Sequence, residues 1–283
     1  MEEIMRISFK KDLVMVLIPL LLMTTGLVAA KKVGILMMAT TTSTDNTGLL
    51  DYLQPVFEKE TGIELKWVAV GTGKALELGK NCDVDVLLVH APAAEKKYVE
   101  DGYGIDRRPV MFNDFIVIGP AGDPAKLKGK KVIDAFKIMA KNKIPFASRG
   151  DDSGTHKAEL KIWKDAGITA PDKEQWYIST GQGMINTISI AAERNAYTYT
   201  DRGTYYKYDA GQKGHSPLVI ILEGDKALLN QYSVIAVNPA KCGKVKYNLA
   251  KKFSDWMASP STQKLIGNFK VEGKQLFTPN AEK

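Results

Sequence analysis

Short apolar runs of strand length alternate with segments of helical periodicity from Val33 onward, and this alternation restricts the fold more than any other feature of the chain. Residues 33–38 are apolar, and over residues 46–60 leucines recur at helical intervals, with Pro55 a predicted kink. ELKWVAV then reads as a strand, GKALELGK as a short helix, VDVLLVHA as a strand and AAEKKYVED as a helix. Strands separated by helices build βαβ units and a mostly parallel sheet.

Two longer apolar runs interrupt the pattern. In MFNDFIVIGPAGDP a strand gives way to Gly119, Pro120, Gly122 and Pro124, which predicts a crossing into a second domain, and LLNQYSVIAVNP predicts the crossing back. Between them lie helices predicted at 135–141, 153–166 and 182–194 and the strands IPFAS, WYIS, AYTYT and PLVIIL. The helices VKYNLAKKFSDWMAS and STQKLIGNF then complete the first domain. The expected fold is α/β with two lobes, residues 31–118 with 235–283 and residues 119–234, joined by two crossover segments. A ligand cleft is expected between them, because open α/β sheets bind ligands at the carboxyl ends of their strands.

Residues 1–30 read as a secretory signal: basic residues at Lys10 and Lys11, the apolar stretch LVMVLIPLLLMTTGLV, and small side chains up to Ala30. The competing reading is an uncleaved anchor, against which Pro19 and Gly26 leave the core short for a span. No cysteine stands near the predicted cleavage after Ala30, which excludes a lipid anchor there. The expected product is an exported, periplasmic, monomeric protein.

The formal net charge of +7 survives removal of this segment, which holds three basic and three acidic residues. A basic excess favours an anionic partner, yet the basic residues are scattered, so nucleic acid is not expected. Cys82 and Cys242 are the only cysteines, and in an exported chain they either pair or stay as two buried thiols. Their spacing fits no zinc pattern, and His90, His156 and His215 form no ligand cluster, so neither a metal cation nor a cofactor is expected.

Four loops at predicted strand ends share one chemistry. ATTTSTDNTG, GTGKA, SRGDDSGTH and STGQGM are rich in Thr, Ser and Gly, and each leads into a helix. A helix N-terminus leaves its first amides unpartnered and carries roughly half a positive charge. Glycine lets backbone approach a ligand, and hydroxyls donate without bringing a counter-charge. Each loop taken singly reads as an ordinary N-cap. Four together, one with Arg149, read as an anion site: one arginine and two helix ends at about half a charge each suit a small dianion.

The sequence resembles the tungstate-binding components of bacterial ABC importers, the TupA type within the type II periplasmic binding proteins. TTTSTDNTGLL, AVGTGKALELG, DVDVLLVHAPAAE, GYGIDRRPVMFNDFIVIGP, SRGDDSGTHKAELKIW, TGQGM, YTYTDRGTYY and SVIAVNP carry the match, which covers nearly the whole chain after residue 30. The resemblance implies capture of tungstate, with molybdate as a second ligand, closure of the lobes, and delivery to an ABC permease in the inner membrane. It implies oxyanion donors at Thr40, Thr41, Thr42 and Ser43, at Thr72 and Gly73, at Arg149, Ser153, Gly154 and Thr155, and at Gly181, Gln182, Gly183 and Met184. Asp151 and Asp152 are expected to orient Arg149 or to cap the helix, since a carboxylate touching a dianion repels it.

Phosphate binders are the nearest rival, having a similar Arg, Asp and Ser-Gly-Thr arrangement. Hydrogenphosphate brings a proton and needs a carboxylate acceptor; after the third strand this chain instead reads VLLVHAP, with His90 expected as a structural or cleft-rim residue. An oxyanion sensor would use the same site. A hydrolase built on Ser153, His156 and Asp152 is disfavoured: neighbouring positions at one helix start do not form a relay, and no G-x-S-x-G elbow is present.

Overall fold

The computed structural model describes residues 33–169 and 171–281; the predicted signal lies outside them. In chain order the elements are β1 (Gly34–Thr41), α1 (Thr42–Asp45), α2 (Leu49–Thr61), β2 (Ile63–Val70), α3 (Thr72–Lys80), β3 (Val86–Val89), α4 (Pro92–Glu100) and β4 (Gly104–Pro120). Then come α5 (Val132–Asn142), β5 (Phe146–Ser148), α6 (Gly154–Asp165), β6 (Tyr177–Ser179), α7 (Met184–Glu193), β7 (Tyr197–Asp201), α8 (Arg202–Gly211) and β8 (Leu218–Leu222). The chain closes with β9 (Leu229–Val237), α9 (Tyr247–Met257), α10 (Pro260–Asn268) and the short strands β10 (Lys270–Val271), β11 (Lys274–Gln275) and β12 (Thr278–Pro279).

The main path of the sheet runs β2-β1-β3-β9-β4-β7-β5-β6, with β8 and β12 also on β4. Its flanks are parallel, β1 with β2 and β3, and β5 with β6 and β7, as βαβ alternation requires. Its centre is antiparallel, which corrects the expectation of a mostly parallel sheet. The cause is the pair of long apolar runs: β4 and β9 run in opposite directions and pair with each other over residues 104–114 and 229–237. Past Asp114, β4 turns its pairing to β7 and β8. The fold is two-lobed α/β, with these strands joining the flanks.

Each flank has its own core. Around β1 and β3, helix α2 buries Leu49, Leu50, Leu53 and Phe57, one face at helical spacing, despite Pro55 within it. Phe57 meets Phe253 and Trp256 of α9 edge-on at 5.3 and 5.1 Å. Removing such aromatic surface from water contributes about 1.5–3 kcal/mol for each side chain. Around β5, Phe136, Phe146, Trp163 and Tyr177 form the second core. Cys82 and Cys242, left open by the sequence, are joined in a disulfide that ties the turn after α3 to the loop after β9.

α6 buries Thr155, Glu159, Ile162 and Trp163, so its core-facing stripe includes a carboxylate. Glu159 is 1 % exposed and accepts hydrogen bonds from Ser148 Oγ, Tyr177 Oη and Trp163 Nε1 at 2.6, 2.6 and 2.9 Å. Burial nonetheless pushes its pKa up to about 7 from the ordinary 4.5. A folded-state pKa above the unfolded one means that stability is greatest below the unfolded value and declines as pH rises toward 7. Glu159→Gln, which keeps an acceptor for Trp163 and Tyr177, is expected to gain roughly 3 kcal/mol relative to wild type between those limits. Urea unfolding at several pH values measures it, and parallel pH profiles for the two proteins would count against it.

Candidate functional site

β1 ends at Thr41, whose hydroxyl caps α1 by accepting the Thr44 amide at 3.2 Å and meets Thr44 Oγ1 at 2.6 Å. Alternation along the strand sends Thr40 to the other face. There its hydroxyl donates to the Leu88 carbonyl at 2.8 Å, so the donor expected of Thr40 is used inside the sheet. Thr42, the first residue of α1, is exposed, and Ser43 is half-buried.

On the opposite side β5 leads into residues 149–153. Gly150 has φ 60°, and a Cβ there would stand 1.9 Å from Ser179 Oγ and 3.3 Å from Ser179 Cα, so the turn requires glycine. Arg149 Nε and Nη2 donate to Asp151 Oδ2 at 3.0 and 2.5 Å, and Asp151 Oδ1 accepts the Ser153 amide at 3.2 Å. Burial would push the Asp151 carboxyl up, but the Ser153 and Arg149 hydrogen bonds outweigh it and hold it below the ordinary carboxylate value. Asp151 therefore orients Arg149. Asp152 turns instead to Lys157 at 3.2 Å.

Ser153 is the N-cap of α6 and accepts the His156 amide at 3.3 Å, while His156 Nδ1 accepts the Asp152 amide at 3.0 Å. With every one of these contacts made through backbone, Ser153, His156 and Asp152 form no side-chain relay.

Gly154 carries the first turn of α6 against the loops of the other flank. A Cβ at this position would lie 3.8 Å from His90 Cε1 and 3.9 Å from Thr72 Oγ1. Next to this contact Ser43 and Thr155 line one cavity of about 10 Å³, with Phe115, Asp201 and Tyr232 among the other walls. Thr72 opens α3 behind Gly71, which offers no side-chain cap, and Gly73 is exposed. The fourth loop stands beside the β5 loop: the Thr180 amide and hydroxyl donate to the Ser148 carbonyl at 2.9 and 3.0 Å. Gly181 has φ 63°, the Gln182 amide lies 3.3 Å from Thr180 Oγ1, and Gly183 precedes α7 without a side-chain cap. Met184 packs into the core with Ile188 and Tyr205, so it offers this loop its backbone amide, not its side chain.

Of the sequence candidates, Ser43 and Thr155 line the cavity, Thr41 bonds the His90 wall, and Thr72 meets Gly154 beside it. Arg149, Thr42, Gly73 and residues 181–184 are not among its walls.

Asn113, Phe115, Asp201, Asn230 and Tyr232 are not among the sequence candidates, and His90, expected as a structural or cleft-rim residue, lines the cavity with them. The available signal was Asn113 and Asn230 inside apolar strand runs, where an amide is costly unless fully hydrogen-bonded. Asn230 Nδ2 donates to Asn113 Oδ1 at 2.8 Å, and Asn230 Oδ1 meets His90 Nδ1 at 2.9 Å. Asp201 caps α8 with both oxygens, accepting the Thr204 amide and hydroxyl at 2.8 and 2.6 Å.

A larger pocket of about 430 Å³ lies elsewhere, between β4 and α9. Its charged walls are paired among themselves and their neighbours: Arg108 and Lys251 with Asp255, and Arg107 with Glu95. The small cavity is walled instead by the Ser43 and Thr155 hydroxyls, the Asn113 and Asn230 amides and a helix start, with the Asp201 carboxylate turned to cap α8.

This arrangement of two joined α/β lobes with strand-end loops facing one another is that of a solute-binding protein. The model of the PBP superfamily domain matches residues 29–261. The tungstate-binding protein TupA of Campylobacter jejuni is 50 % identical over 240 residues, covering 85 % of this chain and 89 % of that protein. A solved tungstate-binding protein TupA from Desulfovibrio alaskensis G20 is 63 % identical, with a TM-score of 0.85 over 88 % of this chain and all of that one (100 %). The solved tungstate ABC transporter protein from Geobacter sulfurreducens is 47 % identical, with a TM-score of 0.71 over 83 % of this chain and 98 % of that one. The chain belongs to the PBP superfamily and, within it, to the family of the TupA proteins.

Proposed function

We propose that this chain captures tungstate, and molybdate as a second ligand, and delivers it to the permease of an ABC importer. The observation that carries the reading is the meeting of the α6 start, at Gly154 and Thr155, with Ser43, Thr72 and the Thr41-bonded His90 from the opposite flank. Donors from both sides of a cleft allow one small ligand to hold the lobes together. Arg149, aimed by Asp151, offers guanidinium donors beside helix ends of about half a positive charge each.

A cavity of about 10 Å³ holds one water, whereas a four-oxygen anion needs more, so its walls part as the ligand enters. We assign residues 31–118 and 235–283 to one lobe and 119–234 to the other, with Thr42, Gly73, Gly181, Gln182, Gly183 and the amide of Met184 completing the donor set as the lobes move. Phosphate is the weaker reading: the carboxylate in the cavity wall, Asp201, already engages both oxygens in capping α8, which leaves it poorly placed to take the proton of hydrogenphosphate.

The family's role in transport supports a binding protein rather than an enzyme, working as an exported, periplasmic monomer after cleavage behind Ala30. Among the described residues no helix is long and apolar enough to cross a membrane. Thr155→Val is expected to weaken tungstate binding by about 1–3 kcal/mol, the cost of losing a hydrogen bond to a charged group. Isothermal titration measures it; an unchanged affinity would remove Thr155 from the site.

A further inference from the structure

His90 joins the two sides of the candidate site through both ring nitrogens. Nδ1 lies 2.9 Å from Asn230 Oδ1, and Asn230 Nδ2 is committed to Asn113 Oδ1 at 2.8 Å. With the amide oriented by that network, Nδ1 carries a hydrogen and donates. Nε2 lies 2.9 Å from Thr41 Oγ1 and 3.0 Å from Ser43 Oγ. In the neutral ring Nε2 is an acceptor only, so one of these hydroxyls must spend its single hydrogen on the imidazole. In the charged ring Nε2 donates, so neither hydroxyl spends its hydrogen on the imidazole: Ser43 can turn its hydrogen toward a ligand, and so can Thr41 when Thr44 Oγ1, 2.6 Å away, is the donor of their shared hydrogen bond.

We propose that His90 couples anion capture to the uptake of one proton, by deciding whether the hydrogens of Thr41 and Ser43 point at the imidazole or at the bound oxyanion. The proposal rests on the reading of Thr41 and Ser43 as anion donors. Solvent supplies the proton; it attaches to Nε2, adds one positive charge beside the dianion, and leaves when the anion leaves. His90 acts through the two hydroxyls and is a positioning residue.

The surroundings set the direction. Burial pushes the free imidazole below its ordinary value, against the Asn230 hydrogen bond and the Asp201 carboxylate. Tyr232 of β9 stacks on the ring with centroids 4.7 Å apart, and the α6 start adds its positive end beside Cε1. His156, Arg149 and Asp151 belong to that same helix start, and on the His90 side Glu95 is neutralised by Arg107. The free ring is therefore neutral at neutral pH, and a dianion pulls its pKa upward. Affinity is fully enhanced below the free-state pKa and lost as pH rises through the bound-state one, by at most about tenfold per pH unit.

The test is calorimetric titration with sodium tungstate from about pH 5.5 to about pH 8, spanning the ordinary histidine value, in buffers of differing ionisation enthalpy. Wild type is expected to take up protons, at most about one per anion, and to lose affinity as pH rises. His90→Asn, which keeps a donor near Asn230, is expected to bind with a flat profile and no uptake, while His156→Gln retains both. Nitrogen-15 shifts of the wild-type imidazole, showing Nε2 protonated only with tungstate bound, give the same answer without a variant. Wild-type binding without proton uptake, or a profile that survives His90→Asn, overturns the coupling alone. Wild type that binds no tungstate at any pH overturns the functional reading and the coupling with it.

Discussion

Replacing Arg149 with alanine is expected to lower tungstate affinity by about 2–5 kcal/mol, from roughly thirtyfold to several-thousandfold, with the fold intact. The side chain is one-fifth exposed and takes no part in either core; its guanidinium is held by Asp151 at the mouth of the α6 loop. Truncation removes the one full positive charge that this loop presents and leaves Asp151 unpaired beside the anion, so the loss exceeds that of a neutral donor such as Thr155. Arg149→Lys should recover only part of it, because an ammonium reproduces the charge without the planar fork of donors. Titration calorimetry checks the series, with circular dichroism to establish folding. Equal affinity in wild type and Arg149→Ala would take the guanidinium out of the site.

The second large effect falls on stability and should spare binding. Cys82 and Cys242 are 160 residues apart in sequence, and the cross-link closes nearly the whole of the second flank into one loop. In the chain-entropy description such a loop restricts the unfolded ensemble by about 5 kcal/mol. Cys82→Ser combined with Cys242→Ser is expected to lower the unfolding free energy by up to that amount. Both cysteines pack with Tyr98, Leu87 and Val237, away from the cavity, so the folded double variant should bind tungstate like wild type. Urea titration under oxidising conditions measures the first part and calorimetry the second. A double variant as stable as wild type would contradict it.

Much of the fold was legible because strand and helix periods differ. The apolar runs that became β1 to β9 and most helices between them stand out by period alone, and the long runs at β4 and β9 were readable as crossings. What those runs concealed was their pairing with each other, a tertiary fact that makes the centre of the sheet antiparallel. α8 escaped because Gly203, Thr204 and Tyr205 are poor helix formers close behind a strand; its start is set by the Asp201 cap.

At the site, composition identified the loops but not the direction of each side chain. Thr40 and Thr41 look alike in sequence, yet the two-residue period of β1 sends one to the Leu88 carbonyl and the other to His90. Met184 belongs to a glycine-rich loop and still buries its side chain. Asn113, Asn230 and His90 were hidden for the opposite reason: their network is assembled from β3, β4 and β9, segments distant in sequence.

The most direct measurement is calorimetric titration of the chain from Lys31 onward with tungstate, molybdate, sulfate and phosphate in turn at neutral pH. The account predicts tight tungstate binding, molybdate binding through the same donors, and weak phosphate binding, because the one carboxylate in the cavity wall, Asp201, already commits both oxygens to Thr204. Phosphate binding more tightly than tungstate, or no oxyanion binding at all, would contradict it.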